Sequence, residues 1–149
     1  MNATEILHKL PYSKPFLFVD GITDVHANGV VGSFMFKEDM DFYGGHFKDA
    51  PVTPGVILTE CCAQIGLVCL GIFLLGEEMD HSGLQMGMSS SEMEFYIPIY
   101  PGERVRVESE KVYFRFGKLK CKVKLYNQKG ELACKGILAG MFKSKGNGK

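Results

Sequence analysis

One histidine and one glutamate lie on either side of a predicted helix start. His46 follows two glycines, and Glu60, 14 residues later, is the only charged residue in the apolar run 52–76. A carboxyl buried in such a run, with no cation beside it, should have a raised pKa and hold a proton near neutral pH. A neutral imidazole is the usual base in the same pH range. The pair is therefore suited to acid–base catalysis.

The residues after His46 predict one buried helix. Pro54 suits the first turn of a helix, Thr53 could provide its N-cap, and the residues that follow are apolar on every side as far as Leu75. Such a helix must be wrapped by other structure. The 11 apolar residues of 65–75 are too few for a membrane span, which needs about 20. We expect a central core helix and no membrane span.

Strand patterns precede and follow this helix. A short helix is predicted at 4–9, a loop carrying His46 at 39–54 and another loop at 76–82. Gly, Pro and Asn separate the predicted strands, at 16–25, 30–36, 84–88, 92–97, 103–116, 118–126 and 131–142. One central helix wrapped by a long antiparallel sheet is the α+β hotdog fold. We expect a single hotdog domain at 1–142 and a polar, flexible tail at 143–149.

Composition sets the class of protein. A chain of 149 residues with 46% hydrophobic residues forms one domain of ordinary size. The first residues show no basic region followed by an apolar stretch, so we expect no signal peptide and a cytoplasmic protein. The five cysteines have no metal-binding spacing and are expected to be reduced core thiols. A catalytic cysteine is disfavoured, because apolar burial raises a thiol pKa. We expect neither metal nor cofactor.

Charge is distributed unevenly along the chain. Residues 1–100 contain 4 Lys/Arg and 13 Asp/Glu, whereas residues 101–149 contain 13 and 4. The basic third is a candidate docking face for an acidic partner, with four first candidates: Arg104, Arg106, Arg115 and Lys118. The alternating lysines of 118–124 share one face, which a solvated surface explains equally well. Nucleic-acid binding is not favoured, because no aromatic stacking platform is distinguishable.

Three segments resemble one enzyme family. They read LPYSKPFLFVD at 10–20, GHFKDAPVTPGVILTECCAQ at 45–64 and FYIPIYPGE at 95–103. They are similar to the LPHRYPFLLVD, GHFPxxPVMPGVLxxEAMAQ and FrrpVxPGD segments of the β-hydroxyacyl-acyl carrier protein dehydratases, the FabZ-like enzymes of the hotdog fold. The chain departs from this pattern at 12–14, Lys48, Thr53 and 61–62, but keeps the histidine, the glutamate and their spacing.

The resemblance implies an activity. A (3R)-hydroxyacyl thioester would lose water to give the trans-2-enoyl thioester, with His46 as the base at C2 and Glu60 as the acid for the C3 hydroxyl. The backbone N–H of Gly55, at the helix start, would polarise the thioester carbonyl. The expected substrate-binding side chains are Phe47, Val56, Met88 and Phe95.

The resemblance also implies partners. An acyl carrier protein would bring the acyl chain on its phosphopantetheine. The protein would form a homodimer whose sites take histidine and glutamate from opposite subunits, with a trimer of such dimers left open.

Two alternatives are kept. A hotdog acyl-thioesterase would use the helix carboxylate to activate water and needs no histidine base, so His46 argues against it. A non-catalytic, acyl-carrier-binding subunit of a heteromeric dehydratase would be suggested by the loss of either acid–base residue, and both are present. The acyl length and the pathway stay open.

Overall fold

The computed structural model describes residues 1–76 and 84–144. Its six strands form one antiparallel sheet in the order β1-β2-β4-β5-β6-β3, around one central helix. The elements are α1 (Ala3–His8), β1 (Gly21–His26), β2 (Gly29–Met35), a short 3-10 helix (Asp41–Gly44), α2 (Gly55–Ala63), a π-helical segment (Gln64–Cys69), α3 (Leu70–Leu75), β3 (Leu84–Phe95), β4 (Arg104–Arg115), β5 (Lys118–Tyr126) and β6 (Leu132–Ser144). This is the predicted hotdog architecture.

The central helix runs from Gly55 to Leu75 without a break, through α2, the π-helical segment and α3. By length and composition it could cross a membrane, but 72% of its most apolar window is buried inside the fold. Its side chains pack against inward-facing residues of the strands, which include Val105, Val107, Leu119, Cys121, Val123, Leu125 and Leu138. The helix is therefore the core of the domain, as predicted. All five cysteines are buried free thiols.

The first strand is shorter than predicted, because a helix side chain replaces part of the sheet. The strand expected at 16–25 begins only at Gly21. Before it, the Phe18 N–H donates to Oε1 of Gln64 at 2.8 Å, and Nε2 of Gln64 donates to the Phe16 carbonyl at 3.0 Å. These backbone groups are satisfied by a glutamine of the central helix rather than by a neighbouring strand.

The strand β3 also differs from what the sequence predicted. The two strands expected at 84–88 and 92–97 form one strand, whose pairing with β6 shifts register between Met88 and Ser90. A β-bulge thus lies at the gap between the two predicted strands. The strand β6 includes the first two residues of the predicted tail, and residues 145–149 lie outside the described residues. The predicted loop 76–82 also lies outside them, apart from Gly76.

Close packing of β6 against β3 requires a glycine at position 136. A β-carbon there would overlap the Glu92 carbonyl oxygen and would lie 2.9 Å from Cα of Met93. We expect Gly136→Ala to lower the free energy of unfolding by about 2 kcal/mol, within the usual range for overpacking. The matched control is Gly21→Ala, since the nearest atom to its β-carbon would be 4.0 Å away. Urea unfolding measures both, and equal losses would contradict the packing argument.

Candidate active site

The start of the central helix presents unpaired donors. Gly55 is the first helical residue, so its N–H and that of Val56 have no acceptor within the helix. The helix dipole adds positive potential at this end. The N-cap is Pro54 and no side chain caps it. The predicted cap at Thr53 is wrong, because its buried hydroxyl is hydrogen-bonded to the Tyr43 hydroxyl at 2.6 Å.

Apolar side chains border these donors. A β-carbon at Gly55 would lie 3.3 Å from Cζ of Phe95, so the phenylalanine ring rests against the glycine. Phe95 is 48% exposed and Val56 is 77% exposed. The helix start can therefore receive a developing negative charge in partly apolar surroundings, where such hydrogen bonds are strong.

His46 is held by the backbone of its own loop. Its ring Nδ1 lies 2.9 Å from the Val52 carbonyl oxygen. A carbonyl only accepts, so Nδ1 carries the proton and the neutral ring has its lone pair on Nε2. The Val52 N–H in turn donates to the His46 carbonyl at 2.8 Å. The Phe47 ring stacks on the imidazole with centroids 4.2 Å apart. This tautomer has a free basic nitrogen.

Glu60 lies on the central helix and is partly buried. Burial raises the pKa of its carboxyl, and a hydrogen bond from Gln64 partly offsets this shift. That bond joins Nε2 of Gln64 to Oε2 of Glu60 at 3.0 Å. The raised pKa is the direction that proton donation requires. Sequence reasoning assigned Gln64 no role, although the spacing of four residues puts the two side chains on one helix face.

A small cavity adjoins Glu60. Its volume is about 50 Å³, below the roughly 300 Å³ of the smallest typical ligand pockets. Tyr12 borders it, and burial together with the nearby Glu60 raises the pKa of the Tyr12 hydroxyl to about 12. Tyr12 was singled out in the sequence only as a departure from the family pattern. The other lining residues are Ala63, Leu67, Val68, Met86, Gly87, Met88, Gly140, Met141 and Phe142.

The predicted site residues fall into three groups within one chain. His46 contacts Phe47, Gly55 contacts Phe95, and Glu60 borders the cavity that Met88 lines. Across the described residues, no hydrogen bond or ion pair joins His46 to Glu60. In that same part of the chain, no group of three or more metal-ligating side chains is found.

The four docking candidates lie in two places. Arg104 and Arg115 are the two ends of β4, about 35 Å apart for a strand of this length. Arg104 is paired with Asp20 at 3.7 Å. Arg106 is engaged too, with Glu108 at 3.1 Å. Arg115 lies at the far end, next to the turn that leads to Lys118.

A wider groove of about 730 Å³ lies on the outer face of the sheet. None of His46, Gly55 and Glu60 borders it. Its charged side chains are neighbours across strands, as with Glu108 opposite Lys124 and Glu110 opposite Lys122. Such cross-strand pairs are typical of a solvated sheet face. The candidate acid–base residues therefore lie outside this groove.

Residues 10–136 match the model of the FabA-like domain, which covers all the candidate acid–base residues. The chain belongs to this family. It is 32% identical over 140 residues to the 3-hydroxyacyl-(acyl-carrier-protein) dehydratase FabZ of Clostridium perfringens, covering 91% of this chain and 94% of the relative. It is 34% identical over 140 residues to the FabZ of Alkaliphilus metalliredigens, covering 93% and 91%.

Solved structures support the fold. The dehydratase heterocomplex ApeI:P from Xenorhabdus doucetiae superposes with a TM-score of 0.80 at 13% identity, covering 95% of this chain and 93% of the other. A hypothetical thioesterase with coenzyme A from Streptococcus pneumoniae gives a TM-score of 0.61 at 16% identity, covering 83% and 84%. At these identities the likeness establishes the hotdog fold alone.

Because the pKa of Glu60 is raised, the free energy of unfolding should depend on pH and should fall as the pH rises. The folded state binds this proton more tightly than the unfolded chain does. The resulting stabilisation is complete below the unfolded pKa of about 4.3 and is lost as the pH rises through the folded pKa. Glu60→Gln should therefore raise the free energy of unfolding at pH 8 relative to the native protein, and by less at pH 4. Urea unfolding at both pH values measures this, and a gain that is the same at both would contradict it.

Proposed function

We propose that this protein is a (3R)-hydroxyacyl-acyl carrier protein dehydratase, which eliminates water to form the trans-2-enoyl thioester. The observation that carries the proposal is that one side chain can accept a proton and the other can donate one. His46 has a free Nε2 because Nδ1 donates to the Val52 carbonyl, and Glu60 has a raised pKa because it is partly buried. A base and a protonated acid are what the elimination needs.

Each group has one task in the proposed reaction. Nε2 of His46 takes the C2 proton, and the electrons of that bond move towards the thioester carbonyl. The carbonyl oxygen becomes negative and is stabilised by the N–H of Gly55 at the positive end of the helix. Glu60 then gives its proton to the C3 hydroxyl, which leaves as water while the C2–C3 double bond forms.

We further propose that each site is shared by two copies of the chain. In the described part of one chain no hydrogen bond or ion pair joins His46 to Glu60, which agrees with a site built from two copies. The strand β3 agrees with it too, since it is an edge strand of the sheet and carries the exposed apolar residues Met88 and Phe95. A two-fold axis would pair two β3 edges antiparallel and cover them. Whether three such dimers assemble further is left open.

The remaining parts of the proposal concern substrate and location. An acyl carrier protein would deliver the thioester to the helix start, with Phe47, Val56, Met88 and Phe95 bordering the acyl group. The proposed compartment is the cytoplasm, because five buried free cysteines suit a reducing environment.

A thioesterase is the second candidate, on the fold likeness alone. It would need Glu60 ionised, so that the carboxylate could activate water. The raised pKa of Glu60 opposes that role, and a hydrolase would leave His46 without one. A purely carrier-binding subunit would leave both residues without a task.

We expect His46→Ala and Glu60→Gln each to lower the rate of dehydration by about 10²–10⁴-fold, because each removes one proton transfer. Enoyl absorbance measures turnover in either direction, and release of free thiol measures hydrolysis of the same substrate. The matched controls are His26→Ala and Glu92→Gln, at exposed positions on strands of the sheet. Native-like turnover in both folded active-site variants, or hydrolysis faster than dehydration, would refute the proposal.

The shared site can be tested by complementation. Inactive His46→Ala and inactive Glu60→Gln proteins should regain activity when mixed under conditions that exchange subunits. A statistical mixture contains about half heterodimers, each with one intact site, so the expected recovery is roughly a quarter of native activity. Subunit exchange is followed with two affinity tags. Demonstrated exchange without recovery would exclude a site built from two copies.

A further inference from the structure

The turn between β4 and β5 presents a phenylalanine to solvent. Phe116 is 97% exposed and has a φ of 51°, and Gly117 follows with a φ of 75°. Arg115 and Lys118 pair across the turn. Positive φ at both central positions defines a type I′ turn, which strongly favours Asn-Gly. A bulky side chain is disfavoured in this conformation, and here no burial compensates for it.

The surroundings of this ring are basic. The segment 111–126 contains six Lys/Arg and no Asp/Glu. The Arg115 guanidinium lies 4.2 Å from the centre of the Tyr113 ring, and Nζ of Lys120 lies 6.0 Å from it. Met141, which is 44% exposed, pairs with Lys118 from the neighbouring strand. The turn is therefore an apolar projection surrounded by cations.

The hairpin end is held to the described sheet along one edge, where the Phe142 N–H of β6 donates to the Gly117 carbonyl at 2.8 Å. The strand β2 pairs with β4 only as far as Gly29 opposite Glu110. One further bond joins the Lys111 N–H to the Asn28 carbonyl at 2.7 Å, and β4 then bulges before Tyr113. Beyond this bulge, no described strand pairs with the outer edge of β4. The hairpin tip is accessible to a partner from that side.

The proposed dimer would put this tip near an active site. Lys118 pairs with Met141, which pairs with Gly87 in the first half of β3. If two β3 edges pair antiparallel, that half lies beside the end of the partner's strand, where Phe95 meets Gly55. Three strand spacings separate β5 from the partner's β3, a distance of about 14 Å. The tip of one subunit would therefore flank the helix start of the other.

We propose that Phe116 is the apolar anchor of the docking site for the acyl carrier protein, with Arg115 and Lys118 pairing with carboxylates around it. This inference rests on the proposed function. Charge complementarity favours the carrier, since an acidic protein suits a segment with six cations and no acid. Aromatic side chains, phenylalanine included, and arginine are also enriched at protein interfaces. An anionic lipid surface is the competing occupant, but a single ring offers it little buried area.

The sharpest test is Phe116→Asn. It creates the Asn-Gly pair that a type I′ turn prefers, so the melting temperature should stay the same or rise. We expect KM for a 3-hydroxyacyl group on acyl carrier protein to rise about tenfold. The same group on N-acetylcysteamine, which needs no docking, should keep its kcat/KM within twofold. Unchanged KM for the carrier-bound substrate, or an equal loss with both substrates, would overturn the proposal.

A matched charge pair tests the cations. Lys118→Glu lies at the turn, and Lys129→Glu makes the same change in the exposed turn that follows the far end of β5. Titration calorimetry with acyl carrier protein should show binding that weakens about tenfold for Lys118→Glu and stays within twofold for Lys129→Glu. Native binding should weaken with salt. Equal effects of the two substitutions would overturn the assignment.

The binding measurement separates this inference from the reaction. If the native protein binds the carrier through Phe116 but does not dehydrate its cargo, the docking site stands and the proposed function fails. If dehydration is observed but Phe116→Asn leaves carrier binding unchanged, the docking site is refuted and the proposed function is not. Binding to vesicles with about 30% anionic phospholipid is the last arm of the test. If that binding depends on Phe116 and the carrier does not bind, the occupant is a membrane and the proposal is overturned.

Discussion

The buried amide of Gln64 links the fold to the candidate chemistry. This side chain is fully buried at the start of the π-helical segment. Its oxygen accepts from the Phe18 N–H, and its nitrogen donates both to the Phe16 carbonyl and to Glu60. One residue therefore ties the N-terminal segment to the helix and orients the acid. An unpaired buried amide would be costly, so these bonds constrain one another.

The same amide also affects the pKa of Glu60. Burial among apolar side chains favours the protonated carboxyl, whereas the Gln64 bond favours the carboxylate. Burial is the larger effect, so the raised pKa lets Glu60 keep its proton to a higher pH than an exposed glutamate does. The bond limits the shift, and a proton donor must also regain its proton after each turnover. Without this partner, a buried carboxyl would regain its proton readily but would give it up only at a larger energetic cost.

The sequence was most informative where a residue type is unusual for its surroundings, as with a single charged residue in an apolar helix. The apolar helix predicted the core, which the structure confirms, whereas its one glutamate and the histidine before the Pro-Gly helix start led to the acid–base pair that is proposed. Tertiary contacts decided the rest. Gln64 shortened the first strand by satisfying the backbone at 16–18, and Tyr43 took the hydroxyl of Thr53 from the helix cap. Such partners are distant in sequence, so local patterns could not reveal them.

Two features of the chain work against its stability, and both lie where a function is proposed. Glu60 places a partly buried carboxyl on the apolar helix, and Phe116 places an exposed ring in a turn that prefers asparagine. Local choices that oppose folding persist where function requires them. The core supplies the compensation, since helix and strands bury a continuous apolar cluster. The cost of Glu60 follows from its chemistry, whereas that of Phe116 is explained only if its ring is covered by a partner.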